Sequence, residues 1–286
     1  GAATYDSNDL ALVLVLCLPL VLWWILDKTN RLRYFGFAFL LPMLFAIMKT
    51  GSRGGFLGLA AILVAFVVVG GAGIVPHARR YAIVVAVAAV ASIPFLPSTY
   101  MERITSMANY QDDYNSTSPR GRIQIWKRGM GYMVTHPVFG VGIDNFPVAE
   151  GRLSDAALAR QAGEGLKWSA AHNSFVQLAA ELGIIPGVLF ILLVLKTAIT
   201  LLKRGKALIA SRAPDLLTPL LGLCFVGYGV GGFFLSFAYY DIVYFLFALA
   251  TALLMSPASG GQPAAARPRP MRGQVPVQPQ LARYGR

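Results

Sequence analysis

Arg53, Arg122 and His172 are the residues of this chain whose types can do transfer chemistry. Two guanidiniums hold a diphosphate bidentately and stay charged at any working pH. A neutral imidazole, with an unperturbed pKa of about 6.5, takes a proton from a hydroxyl nucleophile. Together they suit displacement of a diphosphate leaving group by an alcohol.

Each also has a structural reading. Arg53 stands in Ser52-Arg53-Gly54-Gly55, at the mouth of an apolar helix. There it is either a snorkelling arginine anchored in lipid headgroups or an anion clamp. For the clamp, the paired glycines let a ligand approach the backbone, and the helix start adds a positive dipole end. His172 is either an interfacial histidine or a base. Asn173, Gln177 and Glu181 recur every four residues behind it. Such a polar stripe on a helix entering a membrane is costly unless it lines a wet cavity. Ala179, Gly183 and Gly187 recur at the same interval, a small-residue face suited to close helix packing.

Arg122 belongs to a helix expected to start with Ser118 as cap and Pro119 in its first turn. Ile123, Trp126, Met130 and Val134 predict one apolar face, ending near His136-Pro137. The helix is too short and polar to span, so it lies on the membrane or packs across the bundle mouth. Arg122 and Trp126, four apart, share a face. Lys127 and Arg128 read as a solvated or headgroup-facing patch.

Other chemistries find little support. Asp112-Asp113 reads as solvated loop, and no Asp-x-Asp or His-x-x-x-His spacing offers a metal site. Gly140-Val141-Gly142 lacks the third glycine and the strand-turn-helix context of a dinucleotide fingerprint. His136, at a helix end, suits a capping role, and His77 lies in a basic connection. Cys17 and Cys224 sit in apolar runs as small hydrophobes. Neither a cofactor nor a metal is expected.

The elements that must position these residues are hydrophobic. Of 286 residues, 56% are hydrophobic and only 13% are charged, against about a quarter in soluble domains. Mean hydropathy is +0.59. The expected fold class is all-α: a polytopic membrane helix bundle with a large outer loop containing short helices. Four transmembrane helices are expected within 1–97, at about 10–26, 34–48, 56–69 and 81–95. The loop with its amphipathic helix occupies 98–170. Three more spans fill 171–255, the first carrying His172 and broken at Pro186-Gly187, the second at about 216–237, the third following a turn at Asp241. Residues 256–286, rich in Pro, Ala, Gln and Arg, read as a disordered cytoplasmic tail.

The net charge of +12 does not indicate nucleic acid, because no basic stripe interleaved with aromatics occurs. Lys and Arg gather instead in the connections at 27–33, 70–80 and 203–212 and in the tail. Alternating spans put all of these on one side, the cytoplasmic one. The 98–170 segment, with eight Lys or Arg against seven Asp or Glu, then lies outside. So do Arg53 and the Tyr239–Asp241 turn.

The chain resembles the O-antigen ligase and polymerase superfamily of bacterial inner-membrane glycosyltransferases. The matching pieces are Asn8-Asp9-Leu10-Ala11, Ser52-Arg53-Gly54-Gly55, Gly121-Arg122-Ile123-Gln124-Ile125-Trp126, His136-Pro137-Val138-Phe139-Gly140-Val141-Gly142, and His172-Asn173 with Gly183 beyond. Their order and spacing span about 10–190. Pro186 stands where the family pattern often has Gly, Thr or Tyr.

The resemblance implies a metal-independent transferase whose active site faces the periplasm from the inner (plasma) membrane. The implied donor is an undecaprenyl-diphosphate-linked glycan. The implied acceptor is a hydroxyl of lipid A-core, of another glycan, or of protein. His172 would be the base, and Arg53 and Arg122 would bind the diphosphate. Arg120 and Asn173 complete the expected substrate-binding set. An O-antigen or polysaccharide repeat-unit polymerase is the alternative within the class. A small-anion membrane transporter is the alternative outside it, with Lys196 as the ionisable residue deep inside a span.

Overall fold

A computed structural model describes residues 6–71, 73, 77–91, 94, 121–154, 158, 168–210 and 215–256. Arg120, Asp112-Asp113, the Ser118-Pro119 cap and the tail beyond 256 lie outside the described residues. Within them the chain forms α-helices and short 3-10 turns, without strands: α1 (Ser7–Leu26), α2 (Gly36–Lys49), α3 (Arg53–Gly71), α4 (Ala78–Ala91), α5 (Arg122–Thr135), α6 (Phe146–Arg152), α7 (Ser174–Leu182), α8 (Ile184–Ala210), α9 (Leu217–Gly231) and α10 (Asp241–Met255). The fold is an all-α membrane bundle.

Among the described residues, three helices are long and apolar enough to cross a membrane: Ser7–Leu26, Ile184–Leu208 and Leu217–Phe234. Arg53–Val69 and Asp241–Met255 are shorter apolar helices, and α2 and α4 have 14 residues each. The outer surface is apolar as well as the core, with Phe39, Val64, Val87 and Leu192 exposed. Helices that are hydrophobic all round belong in lipid. Lys196, on which a transport path would depend, is exposed on α8 between the exposed Leu195 and the buried Thr197. It points out of the bundle rather than into an internal path.

The centre of the bundle is α9. It packs against α8, α3 and α1, and most of its residues, from Thr218 to Gly231, are buried. One apolar core joins α1 to α4 with α9. A second joins α1, α7, α8, α9 and α10. A third, smaller core holds Ile125, Tyr132, Phe146, Ala149, Ala171 and Ala180. This third core seats α5 and α6 on α7, so the short helices are packed onto the bundle.

The ends of the helices are fixed by polar caps. Asp6 accepts the N–H groups of Asn8 and Asp9 at the start of α1, at 2.7 and 2.9 Å. At the other end of the bundle, Arg204 of α8 donates to the carbonyls of Leu254 and Ser256 at 2.6 and 2.5 Å. A cation there satisfies orphan carbonyls and opposes the negative end of the α10 dipole.

The break in the His172 region falls at Gly183, not at Pro186-Gly187. Gly183 has φ 100°, and α8 resumes at Ile184. Pro186 then sits in the first turn of α8, where its missing N–H costs nothing. The small-residue face has the expected purpose: a Cβ on Gly187 would lie 2.3 Å from that of Ala179, so the two consecutive helices pack closely. Helix α7 begins at Ser174, three residues later than the sequence suggests, because Asn173 caps it.

The buried face of α5 also differs from expectation. Ile125, Gly129 and Tyr132 are buried, whereas Met130 is 50% and Val134 75% exposed. The polar partners explain the rotation. Arg128 forks onto Glu150 of α6 at 2.6–3.1 Å, and the Tyr132 hydroxyl donates to the same carboxylate at 2.9 Å. Arg128 is therefore not a solvated patch residue but one half of a largely buried ion pair.

Candidate functional site

The segment between α9 and α10 gathers the candidate residues. It runs through a 3-10 turn (Gly232–Phe234) and then Leu235 to Tyr240. Arg53, half-buried, is the first residue of α3. Its helix is capped by Ser52, whose Oγ accepts the Gly55 N–H at 3.1 Å. A Cβ on Gly54 would lie 3.0 Å from the Phe234 Cβ, and one on Gly55 2.5 Å from the Ala11 Cβ. The paired glycines thus let the start of α3 press against α1 and the 3-10 turn. This close packing gives them a structural reason independent of any ligand.

Arg122, also half-buried, is the first residue of α5. One turn later, the Trp126 indole N–H donates to the Ala171 carbonyl at 3.0 Å. The Trp126 ring meets Phe233 edge-on at 5.1 Å and Phe234 at 6.4 Å. Trp126 therefore ties the Arg122 helix both to the residue before His172 and to the turn that packs on Gly54.

His172 has φ 48°, in the left-handed region. An L-residue held there costs about 1–2 kcal/mol, and such strain clusters at functional sites. Its backbone N–H donates to Ser236 Oγ at 2.8 Å. Two residues on, Ser174 donates to the Leu235 carbonyl at 2.7 Å and accepts the Phe237 N–H at 2.9 Å. Three hydrogen bonds thus fasten the His172 strand to residues 235–237. Asn173 acts as the α7 cap, with Oδ1 accepting the N–H groups of Phe175 and Val176 at 3.0 Å each.

Gly54 beside Arg53, Trp126 one turn after Arg122, and the His172 backbone thus contact one short segment, 233–236. Arg120 lies outside the described residues. Asp9 joins the same end: the Tyr240 hydroxyl donates to its Oδ2 at 2.6 Å. The Asn8-Asp9 motif at the chain's start thereby fixes the start of α10.

The polar stripe on α7 is buried as its spacing predicts, with Asn173, Gln177 and Glu181 each under a tenth exposed. Asn173 Nδ2, Gln177 Oε1, Glu181 Oε2 and Tyr239 Oη have no hydrogen-bond partner among the described residues. Glu181 Oε1 accepts the Phe146 N–H at 2.9 Å. Burial raises the Glu181 carboxyl above the usual carboxylate range, against the lowering effect of that bond. Burial, with the Glu181 carboxylate nearby, also pushes the Tyr239 phenol up. No hydrogen bond of ordinary geometry closes between these two side chains.

The Gly140-Val141-Gly142 turn serves a backbone role. Val141 and Gly142 donate to the carbonyls of Ala180 and Glu181 at 2.9 Å each, and Ile184 donates to that of Pro137 at 2.9 Å. Gly140 (φ 62°) would put a Cβ 2.3 Å from the Glu181 carbonyl carbon. Gly183 would put one 2.4 Å from the Val138 oxygen. The His136–Gly142 stretch is therefore locked against the end of α7, with no room for side chains at either glycine. The His136 ring lies 2.9 Å from Thr135 Oγ1, at the end of α5.

Sequence reasoning missed Ser236, Tyr239 and Tyr240, together with the Trp126 link and the Glu150 pair. The signal available was a polar cluster, Ser236 to Asp241, between two strongly apolar helices. Among the described residues no group of His, Cys, Asp or Glu has metal-binding geometry.

A family model described as O-antigen ligase matches residues 38–191. The match covers Arg53, Arg122 and His172, and stops short of α9 and α10. No curated protein matches the chain.

Proposed function

The chain belongs to the O-antigen ligase family, and from that premise we propose that it moves a glycan from an undecaprenyl-diphosphate-linked donor to an acceptor hydroxyl, at the periplasmic face of the bacterial inner membrane. The observation that supports this reading is that Gly54 beside Arg53, Trp126 one turn after Arg122, and the His172 backbone N–H all contact the 233–236 segment. Two permanent cations and one imidazole base are the parts the reaction needs.

His172 takes the proton of the acceptor hydroxyl as its oxygen bonds to the anomeric carbon of the donor. The bond from that carbon to the diphosphate oxygen breaks, and the electron pair leaves with the diphosphate. Arg53 and Arg122 neutralise the charge that develops there, helped by the N-termini of α3 and α5 on which they stand. The left-handed backbone at His172 and its bond to Ser236 fix the base before substrate arrives, which reduces reorganisation during the step. The same chemistry serves a ligase or a polymerase, and the acceptor decides between them. Lys196, the ionisable residue on which transport would depend, is exposed on α8, which does not favour that alternative.

Purified protein in nanodiscs, given a diphosphate-linked lipid glycan and lipid A-core, peptide or a second donor, tests the reading. EDTA-resistant transfer is expected from the wild type, with losses of about 100-fold or more in His172→Ala and Arg122→Ala. The acceptor used identifies the subclass. Full transfer by folded His172→Ala removes it as the base.

A further inference from the structure

Beside His172 lies a cavity of about 380 Å³, at the small end of the range of ligand sites. Its polar lining is Asp144, Gln177, Ser236, Tyr239, Tyr240 and Asp241. We propose that it is the acceptor subsite, taking a neutral polyhydroxyl ring: the sugar that presents the accepting hydroxyl. This rests on the transferase reading above and assigns the half of the site that the two arginines leave unaddressed.

The chemistry of the lining selects that class. Among the described residues it contains no Lys, Arg or His. Its polar groups are two carboxylates, an amide and three hydroxyls, so acceptor oxygens predominate. A sugar supplies many O–H donors, which is the complement. A phosphate is disfavoured by Asp144 and Asp241, so donor diphosphate and acceptor ring are sorted between groups of different charge.

Two of the lining groups are buried without a partner among the described residues. Gln177 is 8% exposed, and its Oε1 accepts no hydrogen bond. The Tyr239 hydroxyl is in the same position. A buried polar atom left in this way is destabilising, and a ligand hydroxyl would satisfy it. The Ser236 Oγ already accepts the His172 N–H, and its own O–H remains to be donated. One hydroxyl thus touches both the residue proposed as base and the cavity. Tyr240 forms a rigid wall, its ring stacked on Phe237 at 3.9 Å and its hydroxyl bonded to Asp9.

Saturation-transfer NMR on the full chain in nanodiscs provides the test, with D-glucose, N-acetyl-D-glucosamine and inorganic diphosphate as probes. A sugar signal is expected, weakened about tenfold by Gln177→Leu or Tyr239→Phe and abolished by Ala170→Phe, which fills the cavity. Diphosphate is expected not to displace the sugar, and Arg122→Ala to leave the sugar signal unchanged. In the transfer assay the same cavity variants raise the acceptor KM about tenfold and leave the donor KM unchanged. Each variant is compared at equal helicity and Tm.

Absence of any sugar signal overturns the proposal, as does a signal indifferent to all three variants or displaced by diphosphate. Sugar binding lost in the cavity variants, without transfer to any acceptor, keeps the subsite and removes the transferase reading. Transfer that depends on His172 but has an unaltered acceptor KM in folded cavity variants does the reverse.

Discussion

The indole N–H of Trp126 donates to the carbonyl of Ala171 at 3.0 Å, joining the helix that carries Arg122 to the residue that precedes His172. The two residues are 45 positions apart in the chain. The bond links the helix of the proposed diphosphate clamp to the segment of the proposed base.

Trp126→Phe keeps most of the ring packing on Phe233 and Phe234 and removes the donor. Losing one such bond costs about 1 kcal/mol. Transfer is expected to fall roughly tenfold, mainly in kcat, with Tm within a few degrees of the wild type. Unchanged kcat in Trp126→Phe would mean that the bond does not position the base.

His172→Gly separates chemistry from backbone strain. Glycine reaches φ near 48° without steric cost, whereas alanine does not. Both variants are expected to lose transfer, and Gly is expected to match or exceed Ala in Tm. A Gly variant clearly less stable than Ala would show that the left-handed backbone carries no strain.

The Arg128–Glu150 pair is expected to matter for folding rather than for turnover. Arg128→Ala leaves the carboxylate of Glu150, which is 4% exposed, without its cation. Breaking such a pair costs about 3–5 kcal/mol, and Tm should fall markedly. The double variant Arg128→Met with Glu150→Leu should recover much of that loss, because no uncompensated charge remains. Failure of the double variant to exceed Arg128→Ala would point to a further function for one of the two groups.

Glu181 makes stability depend on pH. Its folded carboxyl is raised above its unfolded value, chiefly by burial. The folded state therefore holds its proton more tightly, so the group's contribution is fully present below the unfolded carboxylate pKa. It is lost as pH rises through the raised folded value. Glu181→Gln keeps an oxygen for the Phe146 N–H and cannot ionise. Its Tm should vary less with pH than that of the wild type, with the gap widening towards alkaline pH. Parallel Tm profiles for the two proteins would exclude Glu181 as the source.

Much of this organisation was legible in the sequence because membrane helices announce themselves by composition. The apolar runs, the cap at Asp6 and the stripe Asn173, Gln177, Glu181 all follow from local spacing. What stayed hidden depends on contacts between distant segments. The face of α5 was misread because Arg128 and Tyr132 look solvent-seeking until Glu150, on another helix, supplies their partner. The break at Gly183 rather than Pro186 follows from the close approach of Val138, which no local pattern encodes. Ser236 is an ordinary serine in sequence, and only its bonded position under His172 gives it meaning.

The lock between 137–142 and 180–184 is made of main-chain atoms alone. A fastening of that kind recognises shape and not identity. Val138 and Phe139, both exposed, can therefore vary widely while the geometry at His172 stays constant, provided the positions of Gly140 and Gly183 keep hydrogen in place of a side chain. The exterior of this turn, where Phe139 is 84% exposed, is thus open to being tuned for different membranes or partners without disturbing His172.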